Sequence, residues 1–585
     1  MHRFNRSMLL LPIWLAAIAS WSIPFLVASH TYPIPTFYSE FATSICWLAL
    51  AVGVLGLTWS SEESGLPRIG LAPLALIVVL ILQLMLATPL NPFFSFAAIV
   101  FLLGALAACG LGARCRNVPG VLEAIAVGVI LGGLLTVAVE FLQLFRMQGL
   151  PPEFFSASPA GPDRRMWGNL NQPNHVATYL ACGLAACGFL GGKSRRYSVL
   201  LALITLALLL GMALTFSRMS WLHLAMVGGV AGLAWSVEER GARRWIRMCV
   251  PVLGLAVIYQ VCNWLVAYAN VLWHLDLPTS LDERLQQGVG LRVFLWKHAW
   301  HMFLAHPWLG AGWGDYAWNQ YVQTDVLGHV EMSLNAHNIV LDLLAKVGLA
   351  GLVAVALPFL ALTFAVCKRH VTRELAFLYA MISVMVVHSM LEYPLHYLYF
   401  LLPFAFVLGY VDVRRLRFPS ASMSWVLTGI VVVCASVLTG RMWIDYKSVE
   451  RLFYSPEGAA AELKRYQSSG QLLLLPYGNL SIAVNAAMNA EMAPIMAALE
   501  HQAVQFYPGS GAIQRWAIAL AFQGKTDEAI TQVRRLYSQY WMGYADESKL
   551  LTLVCTKKME GLDTFCARLK AEGLLIGRDE VPIPQ

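Results

Sequence analysis

The chain is predicted to be an all-α, polytopic membrane protein with about 13 transmembrane helices and a small helical, tetratricopeptide-like domain at its C-terminal end. Three observations predict this. Of 585 residues, 58% are hydrophobic and only 13% are charged, against about 25% charged in soluble domains. The mean hydropathy is +0.60, which calls for a solvent that accepts apolar surface all round a helix, and lipid is that solvent. Apolar stretches of about 18–25 residues also recur along the chain, each long enough to cross the hydrocarbon core as a helix.

The first apolar stretch, residues 8–28, follows Arg3 and Arg6. It is too long for a signal-peptide core and lacks a convincing cleavage site, so it is read as a span. Further spans are expected near 40–58, 70–89, 93–112, 120–144, 174–192, 197–215, 219–236, 248–270, 339–367, 374–393, 395–412 and 423–441. The positive-inside rule tests the set, because every second loop should be basic. Those loops carry Arg68; Arg114 and Arg116; Lys193, Arg195 and Arg196; Arg240 to Arg247; Lys368, Arg369 and Arg373; and Arg414, Arg415 and Arg417. The alternation predicts a bacterial inner-membrane protein with a cytoplasmic N-terminus. It puts loops 145–173 and 271–338 in the periplasm, within a membrane domain of residues 1–444. The tail, 445–585, is then a periplasmic C-terminal domain.

In the tail the apolar residues become periodic, the signal of amphipathic helices. The stretch from Trp516 to Ala529 reads as a helix–turn–helix resembling a tetratricopeptide unit, with Gly524 ending one helix and Thr526 placed to cap the next. The net charge of +7 punctuates the apolar segments, and no basic run interleaved with aromatics suggests nucleic acid. The cysteines form no CxxC pair, so no zinc site is expected. Most are small apolar residues in helices, and Cys555 and Cys566 stand apart because they fall in the tail.

Three external clusters strain the bland reading of solvated loop charges. Thr215-Phe-Ser-Arg218 lies in a short hairpin between two spans. Arg218 either snorkels to headgroups or clamps an anion, since a planar, always charged donor suits diphosphate. Arg292, Trp296 and Trp300 share one helical face and precede the glycine-rich turn from His306 to Gly314. The helix reads as interfacial; the turn implies close approach of backbone to something. Asn335-Ala-His337-Asn338 precedes the span starting near Ile339. Either asparagine can cap that helix, and His337 at its mouth is placed to take a proton from a hydroxyl, although a lone histidine is more often structural. Asn169-Leu-Asn171-Gln172-Pro-Asn174-His175 closes the first long loop and reads as a helix start with Pro173 in its first turn; Arg164 and Arg165, just before it, are placed to add to an anion site. His388 with Glu392, and Asp342 with Lys346, stand four apart; the first pair is read as pairing or orienting the site, the second as structural.

In order and topology these clusters resemble the family of O-antigen ligases, O-antigen polymerases and bacterial protein O-oligosaccharyltransferases. The likeness is carried by Ser217-Arg218, by Arg292 with Trp296, by the turn His306-Pro-Trp-Leu-Gly-Ala-Gly312, and by His337-Asn338. The segment from Gly168 to Asn174 is similar to the pilin-glycosylation type of oligosaccharyltransferase, which also tends to carry an extended C-terminal region. The resemblance implies transfer of a glycan from undecaprenyl diphosphate to an acceptor hydroxyl, Ser or Thr in a periplasmic or pilin-like protein. On physical grounds Arg218 and Arg292 are the cations for the diphosphate and His337 the base. Arg164, Arg165, Asn171, Gln172, Asn174, Trp296, Gly312 and Asn338 are the expected substrate-binding residues. No metal-ligand carboxylate cluster is visible in the sequence, so neither metal nor cofactor is expected. Arginine would take the metal's place at the leaving group, and direct displacement would invert the anomeric carbon. Ligation to lipid A-core, or glycan polymerisation, is the alternative on the same chemistry. A transporter of lipid-linked sugar is the alternative of another class. It is disfavoured by the lack of an internal repeat and by charges clustered at one face.

Overall fold

The computed structural model describes residues 2–58, 65–147, 149–191, 197–278, 281–417, 420–454, 473–486 and 488–575. The loop residues Lys193, Arg195 and Arg196, and the side chains of Arg3 and Arg6, lie outside the described residues. Helices dominate, as lipid requires of a backbone that must satisfy its own hydrogen bonds. In chain order they are α1 (His2–Ser20), α2 (Phe37–Thr58), α3 (Leu71–Leu86), α4 (Pro92–Cys115), α5 (Val121–Leu144), α6 (Pro173–Gly191), α7 (Ser198–Leu214) and α8 (Met219–Trp235). Then come α9 (Gly241–Trp273), α10 (Leu281–Ala305), α11 (Tyr316–Leu327), α12 (Ile339–Val366), α13 (Arg373–Ser389), α14 (Leu398–Val411) and α15 (Ala421–Tyr454).

Each apolar stretch read from the sequence overlaps one of these helices, although α1 ends at Ser20, short of the expected residue 28. Among the described residues, seven helices are long and apolar enough to cross a membrane: those over Phe37–Thr58, Arg68–Leu86, Pro92–Cys115, Val121–Leu144, Gly241–Trp273, Ile339–Val366 and Val426–Tyr454. Four shorter apolar helices lie at Leu10–Phe25, Ser198–Leu214, Met219–Trp235 and Leu398–Val411. Among the described residues the strands are one two-residue antiparallel ladder, Leu66–Pro67 with Arg415–Leu416.

The chain divides into two compact units. The first comprises residues 1–75, 101–285 and 354–440. Its core runs through α1, α2, α5–α9, α13 and α14 and is built from Leu, Val, Ala, Phe and Tyr. Small residues let helices approach closely, as membrane packing favours. A Cβ on Gly112 would lie 2.1 Å from the Phe406 carbonyl oxygen, and one on Gly409 2.0 Å from that of Cys109, so α4 and α14 touch backbone to backbone.

The second unit comprises residues 76–100, 286–353 and 441–585. Its tail helices are α16 (Leu475–Asn485), α17 (Ala493–Phe506), α18 (Ser510–Phe522), α19 (Thr526–Gln539), α20 (Tyr544–Glu547), α21 (Lys549–Thr556) and α22 (Asp563–Ala571). Gly524 ends α18 with φ +75°. The Lys525 N–H reaches the Leu520 carbonyl and the Gly524 N–H that of Ala521, the paired bonds of a Schellman motif. Thr526 is the first residue of α19 rather than its cap, and Lys525 takes the cap position without a side-chain bond. Cys555 and Cys566 form a disulfide; the other nine cysteines are free. The tail's apolar core takes in Tyr321 from α11, with Trp318 and Val322 packed against it. Tyr321 Oη donates to Gln532 Oε1 at 2.7 Å, Arg535 grips Asp325 through two nitrogens, and the Val330 N–H reaches the Ser538 carbonyl at 3.1 Å.

Candidate functional site

In the first unit, a polar network gathers the residues that close the loop before α6. Pro173 opens α6, where a missing N–H is harmless, and the preceding Asn171 turns the chain with φ +52°. The turn folds the Gln172 side chain back, so that its Oε1 accepts the His175 N–H at 2.9 Å. Gln172 Nε2 donates to Glu392 Oε2 at 2.7 Å, and Asn174 Nδ2 donates to Glu392 Oε1. Asn174 Oδ1 in turn accepts from Ser217 Oγ at 2.7 Å and from an Arg165 nitrogen at 3.2 Å. Arg165 Nε also donates to the Thr215 carbonyl at 2.8 Å. The Thr215–Arg218 hairpin is therefore fastened to the Gln172–Asn174 turn through Ser217 and Arg165, with Glu392 behind both amides. Phe216 takes φ +48° to make the hairpin, and Arg218, half-buried, precedes the first residue of α8.

Behind Glu392 lie buried histidines. His388 Nε2 stands 3.5 Å from Glu392 Oε2, and its Nδ1 lies 2.8 Å from Thr178 Oγ1. The ligand atoms of His175, His388 and Glu392 lie within 4.8 Å of one another, close enough to hold an ion. Both Glu392 oxygens, however, already accept amide hydrogen bonds. The sequence reading paired His388 with Glu392 by their spacing; it did not gather His175 with them, because that contact joins residues more than 200 positions apart. Arg164 points elsewhere. Two of its nitrogens donate to the carbonyls of Gln143, Leu144 and Leu275 at 3.3, 3.2 and 2.6 Å, which caps the C-terminal end of α5. Asn171 is exposed.

In the second unit the site is built around a break in α12. Gly348 departs from helical geometry at φ +64°, ψ −163°. The Leu349 and Ala350 N–H groups instead donate to the carbonyls of Pro307 and Trp308 at 2.8 and 3.1 Å, while the Ala345 carbonyl takes the Ala311 N–H at 2.8 Å. The glycine turn is thus what fills the break. Backbone meets backbone there: a Cβ on Gly310 would lie 2.3 Å from the Lys346 carbonyl carbon. Gly312, at φ +111°, donates its N–H to the Lys346 carbonyl at 3.3 Å. Asp315 closes the turn by accepting the Leu90 and Asn91 N–H groups at 2.8 and 2.9 Å. Burial raises its carboxyl above the usual range, and those two amides partly offset the rise.

His337 sits at φ +53°, a left-handed conformation unusual for a bulky residue. Asn338 caps α12, its Oδ1 accepting the Val340 and Leu341 N–H groups at 3.1 Å. His337 and Arg292 are both half-buried. On the same face of α10 as Arg292, Trp296 has its indole N–H buried without a protein partner among the described residues, while Trp300 is exposed. His298 is fully buried nearby on α10. Burial, with Lys297 and His301 adding, pushes its pKa down to about 4, so the ring is neutral. The sequence reading passed over it, because its position alone does not separate it from its exposed neighbours. Arg218 belongs to the first unit, whereas Arg292 and His337 belong to the second.

Known families match three parts of the chain. One described as a protein glycosylation ligase matches residues 166–190, which contain the Gln172–Asn174 turn. One described as O-antigen ligase matches 201–356, from the Arg218 hairpin to the broken helix. The C-terminal part of a virulence-factor membrane-bound polymerase family matches 376–550, with His388 and Glu392. A general O-oligosaccharyltransferase of Acinetobacter baylyi is 25% identical over 73% of this chain and 74% of its own length. A ComP-specific O-oligosaccharyltransferase of the same organism is 23% identical over 45% of this chain and 46% of its own length. The two polar clusters lie inside these matches, which together support an O-oligosaccharyltransferase of the O-antigen ligase family.

Proposed function

We propose that this enzyme transfers an oligosaccharide from undecaprenyl diphosphate to a Ser or Thr hydroxyl of a periplasmic, pilin-like protein. The donor's lipid tail lies in the bilayer among about thirteen spans, and its diphosphate rests at the outer rim. Arg218 and Arg292 hold the diphosphate and neutralise the charge that develops as it leaves. His337 takes the proton of the attacking hydroxyl. Arg165, Gln172 and Asn174 fix the hairpin that presents Arg218, while Trp296, Gly312 and Asn338 are the substrate-binding residues of the second unit. Attack on the anomeric carbon opposite the diphosphate inverts it, without a metal.

One observation carries the reading. Each polar cluster is rigidly built on backbone that leaves ordinary helix geometry, at Phe216 and Asn171 in one unit and at His337 and Gly348 in the other. Such departures collect where a ligand is gripped. The Cys555–Cys566 disulfide supports a tail in an oxidising compartment, hence the periplasm, with the N-terminus in the cytoplasm. Ligation to lipid A-core or glycan polymerisation is the second reading, favoured by the O-antigen ligase and polymerase matches over residues 201–356 and 376–550.

The test is reconstitution of the full-length protein with lipid-linked glycan, offering pilin and lipid A-core in parallel. Glycan mass is expected on pilin; mass on lipid A-core alone selects the second reading. Arg218→Ala, Arg292→Ala and His337→Ala are each expected to lower transfer by about a hundredfold or more, the scale of losing a general base or an oxyanion donor. Normal transfer by all three refutes the site.

A further inference from the structure

We infer that the buried ion pair Asp342–Lys346 is the positioning device for His337, a role that rests on His337 being the base. Both side chains are almost wholly buried, 3 and 4% exposed, and their charged atoms lie 3.0 Å apart. A buried pair of this kind is no strong source of stability, since apolar replacements of similar volume are often neutral or better. Its contacts point to another use.

Asp342 Oδ1 accepts the Ala336 N–H at 2.9 Å, and Lys346 Nζ donates to Asn335 Oδ1. The two residues immediately before His337 are thus held by the two members of the pair. On the other side, Asn338 is fixed as the cap of α12, and its carbonyl accepts the Asp342 N–H at 2.8 Å. His337 is the one residue between these anchors, and it carries the left-handed backbone. An isolated chain would relax such a residue; here the flanks prevent it.

Lys346 does more than complete the pair. Its ammonium stands 5.3 Å from the Trp313 ring and 5.6 Å from that of Tyr316. Its own carbonyl accepts the Gly312 N–H at 3.3 Å and Gln83 Nε2 at 2.7 Å. One residue therefore ties the glycine turn to the histidine segment. The pair acts through His337 and touches no reacting atom. Its loss shifts the imidazole without removing it, and misplacement on the scale of 1 Å costs about a hundredfold in rate.

The experiment uses the full-length enzyme, lipid-linked glycan and pilin acceptor. Asp342→Leu/Lys346→Met removes both charges and both anchors while keeping an apolar fill. It is expected to lower kcat by about ten- to a hundredfold and to leave the donor KM within about threefold. Hydrogen exchange of the amides at 335–338 should quicken. Asp342→Asn/Lys346→Met keeps an oxygen for the Ala336 N–H, and is expected to regain a substantial part of kcat and of the amide protection. It also serves if the first variant fails to fold. Wild-type kcat in the Leu/Met enzyme overturns the inference, as does a raised KM with kcat intact, or an Asn/Met enzyme no better than Leu/Met. His337→Ala separates the two levels. If it keeps full activity, the base assignment falls and the pair's role with it. If it is inactive beside a fully active Leu/Met enzyme, only the pair's role falls.

Discussion

Arg164 and Arg165 are neighbours in sequence with opposite tasks. Arg164 is 3% exposed and feeds the last carbonyls of α5, whereas Arg165 joins the Asn174–Ser217 network. Arg164→Ala strands several buried acceptors, each costing about 1–3 kcal/mol. It is expected to lower the melting temperature of the purified protein and its yield in membranes. Arg165→Ala should leave the melting temperature within a few degrees and lower transfer; equal behaviour of the two variants would contradict the division. No motif separates these side chains in the sequence, because the backbone path through the loop decides which way each points. Glu500 shows the same dependence on surroundings. One oxygen pairs with Arg515 at 2.6 Å, and the other is buried without a partner among the described residues. Burial outweighs Arg515 and raises the carboxyl from 4.5 to about 7. A raised acid in the folded state adds stability below the unfolded value, and that stability is lost as pH rises through about 7. Wild type should therefore lose melting temperature between pH 5 and 7.5 relative to Glu500→Gln; parallel curves would show that the group is not perturbed.

Among the elements, α12 and the glycine turn depend on each other. The turn supplies the carbonyls and N–H groups that the break at Gly348 leaves unpaired, and both Gly310 and Gly348 combine positive φ with backbone contact closer than any Cβ tolerates. Gly348→Ala is expected to destabilise by about 2–3 kcal/mol and to abolish transfer. Gly429→Ala, in the open part of α15, should be neutral or slightly stabilising, and thermal unfolding of the two variants checks the contrast. The apolar lengths of the helices were plain in the sequence because lipid imposes one simple rule on every span. The glycine turn was also visible as a place of close approach. What it approaches was hidden, since α12 looks like an uninterrupted apolar run and its break is stabilised by a segment some forty residues upstream. That an asparagine caps α12 was legible from spacing, because capping is local; Asn335 was an equal candidate, and the structure assigns the cap to Asn338. The Glu392–Gln172–Asn174 contacts were not, because they join segments more than 200 residues apart.

For the whole molecule, the tail is stapled by Cys555–Cys566 while the other cysteines stay reduced. Alkylation of intact cells before and after reduction is expected to release two extra thiols, both from the tail. Cys555→Ser/Cys566→Ser should destabilise the tail by about 3 kcal/mol. Thiols already free without reductant would place the tail in a reducing compartment and overturn the proposed topology. The sequence showed the tail as a change from continuous to periodic hydrophobicity, but not that a loop helix far upstream completes its core. That completion bears on engineering. Tyr321, Asp325 and Val330 are as much a part of the tail's fold as α19 is. A chimera that exchanges C-terminal halves between relatives at residue 445 would cut through one packed body. To exchange the tail as an intact fold, the transplant must carry residues 316–330 along with it.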